Sequence, residues 1–246
     1  MIELIGNCKH HTPIQTAFLT DTHNRPVSIL KTSFSSDGRE ILEREHRGLS
    51  WYVGQLHVNP VNAGIFHRQT HSYARFEFPY HPGEVGQGHH PISQNYARLS
   101  SAIAHWQKLF GDRACRFNHG DYALGNIVFH SDTVAWVLDW EGFTDELPRG
   151  FDLMNLIMEA CILRYTYHGW NRLSRDDVRL LIQLMHRIAD SIPLPDGFLQ
   201  RPASGVTEIY RSHKAVFGMQ WEKYPFALID RKVIDDIDRH FTGAQE

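Results

Sequence analysis

The stretch Phe117 to Glu141, FNHGDYALGNIVFHSDTVAWVLDWE, constrains this chain more than any other. It holds two short apolar runs, Asn126 to Phe129 and Val134 to Leu138, on either side of the turn His130-Ser131-Asp132, which is the pattern of a β-hairpin. Polar residues collect at the ends of the runs. His119, Asp121 and Asn126 come at or before the start of the first, and Asp139 and Glu141 follow the second directly. Antiparallel pairing sets the start of one strand beside the end of the other, so the spacing predicts that Asn126 and Asp139 meet. An amide oxygen and a carboxylate converging there, with a further carboxylate nearby, suit Mg²⁺, which takes oxygen ligands and keeps water and phosphate for the rest.

The segments on either side differ in character. The front reads as strand and turn with one helix. Thr16 to Thr20 and Val27 to Lys31 form a predicted hairpin around Asp21 to Pro26, and Ile65 to Arg68 and Tyr73 to Phe78 are predicted strands. Between them REILEREHRGLSWY places Ile41, Leu42, Leu49 and Tyr52 on one helical face. The Gly- and Pro-rich HPGEVGQGHHP, residues 81–91, is the expected boundary, dividing the chain into 1–82 and 83–246. Beyond it Tyr96, Leu99, Ile103, Trp106 and Phe110 recur at helical spacing. Ser174 and Asp177 form a capping-box pattern ahead of Val178, Leu181, Ile182, Met185 and Ile188. Helices are also expected over 207–221 and 226–241. The resulting class is α+β.

Composition narrows the partners. With 42% hydrophobic and 22% charged residues among 246, and a net charge of -3, the chain has the balance of a globular protein. No Lys or Arg run tracks a phosphate backbone or an anionic membrane, so nucleic acid and membrane partners are not expected. The N-terminus lacks a signal-peptide pattern and no stretch is long enough to span a bilayer. Together with the widely spaced Cys8, Cys115 and Cys161, this gives a cytoplasmic expectation. Cys8, His10 and His11, or His89 and His90, would need a second ligand pair to hold zinc, and none answers them.

The pattern H-G-D-x-x-x-x-N, an apolar strand, a turn, a second apolar strand and D-W-E resembles the aminoglycoside phosphotransferase and choline kinase family. Phe151-Asp152-Leu153 resembles that family's downstream aromatic-Asp-Leu segment. The resemblance implies a bilobal protein-kinase-like fold, with a small strand-rich N-terminal nucleotide-binding lobe and a large helical C-terminal lobe for catalysis and acceptor binding. It also implies ATP, or another nucleoside triphosphate, with Mg²⁺ as cofactors. Asp121 would then be the catalytic residue that receives the substrate hydroxyl, His119 would position its loop, and Asn126 and Asp139 would be the metal ligands. Lys31 would be the phosphate-binding lysine and Glu45 its helical partner, with Glu43 and then Glu40 as alternatives. Asp152 would support the catalytic loop, or else cap its own helix. Glu141 is open between a metal role and a supporting one. The family's glycine-rich loop has no G-x-G-x-x-G counterpart; Gly6 and the following NCKHHTP would form a plainer one, and FEFPY, 76–80, would be the hinge.

Only a short segment separates Glu141 from Phe151, and no A-P-E follows, so the expected acceptor is the hydroxyl of a small molecule. Glu159, Asp176, Asp177, Glu208 and Glu222 are candidates to meet an amine. Tyr165, Tyr167, Trp170 and Trp221 are candidates to stack on a ring or enclose an ammonium. Aminoglycoside, amino alcohol, sugar and glycan acceptors stay open, as does the oligomeric state. Two rivals remain: an inactive kinase-like module that binds nucleotide or a partner, and a metal-dependent hydrolase built on His119, Asp121 and Asp139.

Overall fold

The computed structural model describes residues 2–3, 14–111, 115–166, 173–217 and 229–244. The chain forms two compact units. Residues 1–82 join Asp139–Phe143 in the first, and 83–138 join 144–246 in the second.

The first unit is an antiparallel sheet of β1 (Ile2–Glu3), β2 (Gln15–Thr20), β3 (Pro26–Ser33), β4 (Phe66–Gln69) and β5 (Ala74–Pro79), in the order β1-β2-β3-β5-β4. The β2–β3 turn closes because the Asp21 carboxylate accepts the N–H groups of His23 and Arg25, while Asn24 adopts the left-handed conformation that Asn tolerates. Along β5 burial alternates, with Ala74, Phe76 and Phe78 inward and Arg75 and Glu77 outward. Helix α1 (Ser36–Gln55) starts where the Ser35 hydroxyl accepts the Gly38 N–H at 3.1 Å. It buries Ile41, Leu42, Leu49, Tyr52 and Val53 on one side. Phe76 is fully buried, with the His46 ring edge-on at 5.6 Å; burying a side chain of that size contributes roughly 2–3 kcal/mol. β4 and β5 each lie one residue later than expected, because Ile65 N–H is held by Pro60 C=O and Thr70 N–H by Tyr73 C=O, which keeps Ile65 and Tyr73 in the turns.

The second unit contains a three-stranded sheet, β6 (Glu84–Val85), β7 (Ile127–His130) and β8 (Thr133–Val137), in that order. Its helices are α2 (Ile92–Phe110), α3 (Phe151–Thr166), α4 (Arg175–Ala189), α5 (Pro202–Ser212), the single turn α6 (Lys214–Phe217) and α7 (Arg231–Thr242). Ser174 and Asp177 make the full capping box of α4. The Asp177 carboxylate also accepts the Ile92 N–H at 2.9 Å and so caps the start of α2, which leaves it no part in binding an amine. The helix expected over 207–221 begins earlier, at Pro202, and stops at Ser212. Proline suits the first helical position, and Asp238 of α7 accepts the Ala203 and Ser204 N–H groups there. The helix expected from 226 starts as α7 after Asp230, whose side chain accepts the Lys232 N–H; the residues between α6 and Ile229 lie outside the described ones. Among the described residues no helix is long and apolar enough to cross a membrane.

Candidate active site

Both units carry residues of the expected site. In the second unit the loop from Asn118 to Asp121 is held from behind by Asp152, in the first turn of α3. Its carboxylate is fully buried and accepts three donors: the His119 N–H at 2.7 Å, the Gly120 N–H at 2.9 Å and the Trp106 indole N–H at 3.0 Å. Burial pushes this carboxyl up to about 6, while the three donors pull the other way. Asp152 is therefore a brace for the loop and not the N-cap of its own helix. Gly120 turns there with φ +85°, a conformation that glycine adopts without strain.

His119 is fully buried, and both ring nitrogens are engaged. Nδ1 accepts the Asp121 N–H at 3.2 Å, so the proton sits on Nε2, which donates to the Leu138 carbonyl at 2.8 Å. A ring fixed at both nitrogens orients the loop and has no lone pair left for proton transfer. Asn126 closes the loop: its Nδ2 donates to the main-chain oxygen of Asp121 at 2.9 Å and to Oδ2 of Asp121 at 3.0 Å. The amide oxygen of Asn126 is left for a ligand. Asn126 sits in a single 3₁₀ turn, Leu124–Asn126, and β7 begins one residue later; the pairing reaches it through the Leu138 N–H, which donates to the Asn126 carbonyl at 2.8 Å. Behind the loop the Tyr122 hydroxyl donates to the Ala102 carbonyl, and the Tyr210 hydroxyl to Asn155.

In the first unit Lys31, on β3, reaches Oε1 of Glu45 on α1 at 2.6 Å and Oδ1 of Asp139 at 2.8 Å. The Lys31 and Glu45 side chains are 14% and 1% exposed, whereas Asp139 keeps 39%, so Asp139 is the one open to a ligand. The alternatives Glu40 and Glu43 are exposed on α1, away from this stripe. Burial opposes the charge on Lys31, but the carboxylates of Asp139, Glu45 and Glu141 outweigh it and hold the ammonium above the ordinary lysine range. Burial pushes Glu45 up to about 7 against the pull of Lys31. The two partners differ for a physical reason. Lys31 answers to three carboxylates, while Glu45 answers to one cation and has a buried Oε2 with no hydrogen-bond partner.

Asp139 has φ 59° and ψ 56°, a left-handed conformation that non-glycine residues hold only where the surroundings impose it. The single 3₁₀ turn Trp140–Gly142 follows it. Glu141 is buried and contributes to the field on Lys31, a role the sequence left open. Asp139 belongs to the first unit and Asn126 to the second. The donor chemistry of both, a part-exposed carboxylate and a free amide oxygen, fits Mg²⁺. Among the described residues no three His, Cys, Asp or Glu side chains are grouped to hold a metal. His119, with both ring nitrogens engaged inside the second unit, has no lone pair to offer the hydrolase arrangement.

Of the acceptor candidates, Tyr165 is buried and donates its hydroxyl to Asp236, and burial, with that carboxylate, pushes it up to about 12. Glu159, on α3, is pushed up to about 7 by burial. Asp176 is exposed and pairs with Arg179. Tyr167, Trp170, Trp221 and Glu222 lie outside the described residues, as do Gly6, Cys8, His10 and His11.

No family model matches the chain, and no curated protein does. Among solved structures it is similar to an aminoglycoside phosphotransferase from Streptomyces rimosus, at 16% identity over 69% of this chain and 88% of that one, with a TM-score of 0.38. It is also similar to a rhoptry antigen kinase domain of Toxoplasma gondii, at 16% identity over 98% of this chain and 81% of that one, with a TM-score of 0.36.

Proposed function

We propose that the chain is an ATP- and Mg²⁺-dependent phosphotransferase of the aminoglycoside phosphotransferase and choline kinase type, transferring phosphate to a hydroxyl of a small molecule. The observation that carries this reading is Lys31 held between Glu45 and Asp139, one cation fixed by a buried carboxylate and a part-exposed one. Phosphoryl transfer needs positioning and charge stabilisation more than covalent help from the protein, and these residue types supply both. Lys31, oriented by Glu45, meets the phosphates of the nucleotide. Asp139 and Asn126 are the carboxylate and amide ligands for Mg²⁺, which when bound neutralises phosphate charge. Asp121, steadied by Asn126 and by the ring of His119, orients the acceptor hydroxyl and takes its proton.

The second reading, a nucleotide-binding module without transfer, is favoured by one feature, the lack of a G-x-G-x-x-G loop in the strand-rich front. The test that separates them is transfer of radiolabelled γ-phosphate from ATP to a panel of amino sugars, amino alcohols and glycans. Labelled product lost in Asp121→Asn supports the enzyme; binding of ATP with no transfer to any hydroxyl supports the module.

A further inference from the structure

Helix α1 carries two glycines past its first turn, Gly48 and Gly54, and glycine in a helix interior weakens the helix relative to alanine. The two have different surroundings. A Cβ on Gly54 would meet nothing within 4 Å. A Cβ on Gly48 would lie 2.8 Å from Cβ of Phe143, 2.9 Å from its Cγ and 2.9 Å from Cβ of Trp140. Contacts at Cβ atoms cannot be relieved by turning a side chain, because a Cβ moves only with its backbone. Gly48 is therefore a seat for the backbone of residues 140–143.

The rings on either side complete the seat. Trp140 lies 5.1 Å from Tyr52 and 6.1 Å from Trp51, and Phe143 lies 5.7 Å from Trp51. Positions 45, 48 and 52 share one face of an α-helix, since residues three and four apart are neighbours there. Glu45, which holds Lys31, thus stands about one turn from the glycine that holds the segment beginning at Asp139.

We infer that Gly48 is a positioning residue: its missing side chain lets Trp140 and Phe143 close on α1 and thereby fixes the Asp139 carboxylate at the reach of Lys31 and in the orientation used for Mg²⁺. The inference rests on the phosphotransferase reading for its last step only. The packing step stands on the geometry of the first unit.

The test compares the wild type with Gly48→Ala, Gly54→Ala and Trp51→Ala in two measurements. The first is the ¹⁹F resonance of residue 140 in unliganded protein carrying 5-fluorotryptophan, assigned with Trp140→Phe. The second is the Mg²⁺ concentration that gives half of the ATP-dependent rise in melting temperature. Gly48→Ala shifts the resonance and raises the Mg²⁺ requirement about tenfold, since small misplacements of a site group cost one to two orders of magnitude. Gly54→Ala leaves both at wild-type values. Trp51→Ala, which opens the seat without a clash, shifts the resonance and raises the requirement in the same direction; it decides the matter should Gly48→Ala not fold. Wild-type values of both measurements in Gly48→Ala, or in Trp51→Ala if that variant must stand alone, would overturn the inference. A wild type that shows no Mg²⁺-dependent response at all overturns the phosphotransferase reading instead, and the resonance alone then decides the packing role.

Discussion

Lys31 and Asp139, separated by 108 positions in the chain, share a 2.8 Å ion pair in the first unit. The same ammonium holds the buried Glu45. A lysine bridging two carboxylates is needed electrostatically, so its removal has consequences in the absence of any ligand.

Above about pH 7, where Glu45 is ionised, Lys31→Met leaves its buried carboxylate without its cation. Stripping one partner from a buried pair costs about 3 kcal/mol or more, and replacing both partners with apolar residues of similar size restores most of it. Urea unfolding is expected to show this loss in Lys31→Met and its recovery in Lys31→Met/Glu45→Leu, while productive ATP binding is weakened in both. An unchanged midpoint in the single variant contradicts the pairing, and wild-type turnover would mean that another lysine meets the phosphates.

Glu45 gives the protein a pH signature. Its carboxyl titrates near 4.5 when unfolded and is pushed up to about 7 by burial, so between those values the folded state holds a proton that the unfolded state has released. Stability from this group therefore falls as the pH rises from about 4.5 to about 7, and the loss is complete above 7. Glu45→Gln, neutral throughout, lacks that slope. Denaturation curves at pH 5 and pH 7.5 check it: the stability of the wild type relative to Glu45→Gln should be lower at the higher pH, and a constant difference contradicts the assignment.

Asp152→Ala removes the acceptor of three buried donors at once. Leaving buried N–H groups unpaired costs roughly 1–3 kcal/mol each, so a loss on the order of 3 kcal/mol or more is expected in chemical unfolding. Phosphate transfer should fall with it, because His119 and Gly120 lose their anchor. A change below 1 kcal/mol, on the order of a single exposed hydrogen bond, would mean that the brace is dispensable.

Asp121→Asn keeps the shape of the side chain and removes its basicity. Transfer should drop by about 10²- to 10⁴-fold, the span typical of a lost general base, while ATP affinity stays within a few-fold of wild type. Loss of ATP binding in this variant would assign Asp121 a structural role.

Much of this arrangement is legible along the chain, and the limit lies where distant segments meet. The β-run ending at Lys31 is readable, as is the helical stripe of Ile41, Leu42, Leu49 and Tyr52, and that stripe turns Glu45 inward while Glu40 and Glu43 face out. The hairpin carrying Asn126 is readable from its two apolar runs and the turn between them. Asp152 is ambiguous in sequence because a carboxylate at a helix start reads as a cap; its donors come from 32, 33 and 46 positions away. The capping box of Ser174 and Asp177 is local and readable, but the second use of Asp177, on the Ile92 N–H 85 positions away, is not. The early start of α5 depends on Asp238, and the seat at Gly48 depends on Trp140 and Phe143, which no local pattern around either position announces.

The assignment of Asp139 to a magnesium-bound nucleotide is tested by the melting temperatures of the wild type and of Asp139→Asn, each with ATP, with Mg²⁺ and with both. At ligand about 100-fold above its dissociation constant, binding adds ~2.7 kcal/mol, which for a chain of this size is roughly 5–11 °C. On that assignment a rise of that order is expected in the wild type only when ATP and Mg²⁺ are present together, and its loss is expected in Asp139→Asn. An equal, magnesium-dependent rise in both proteins, or none in the wild type, would contradict it.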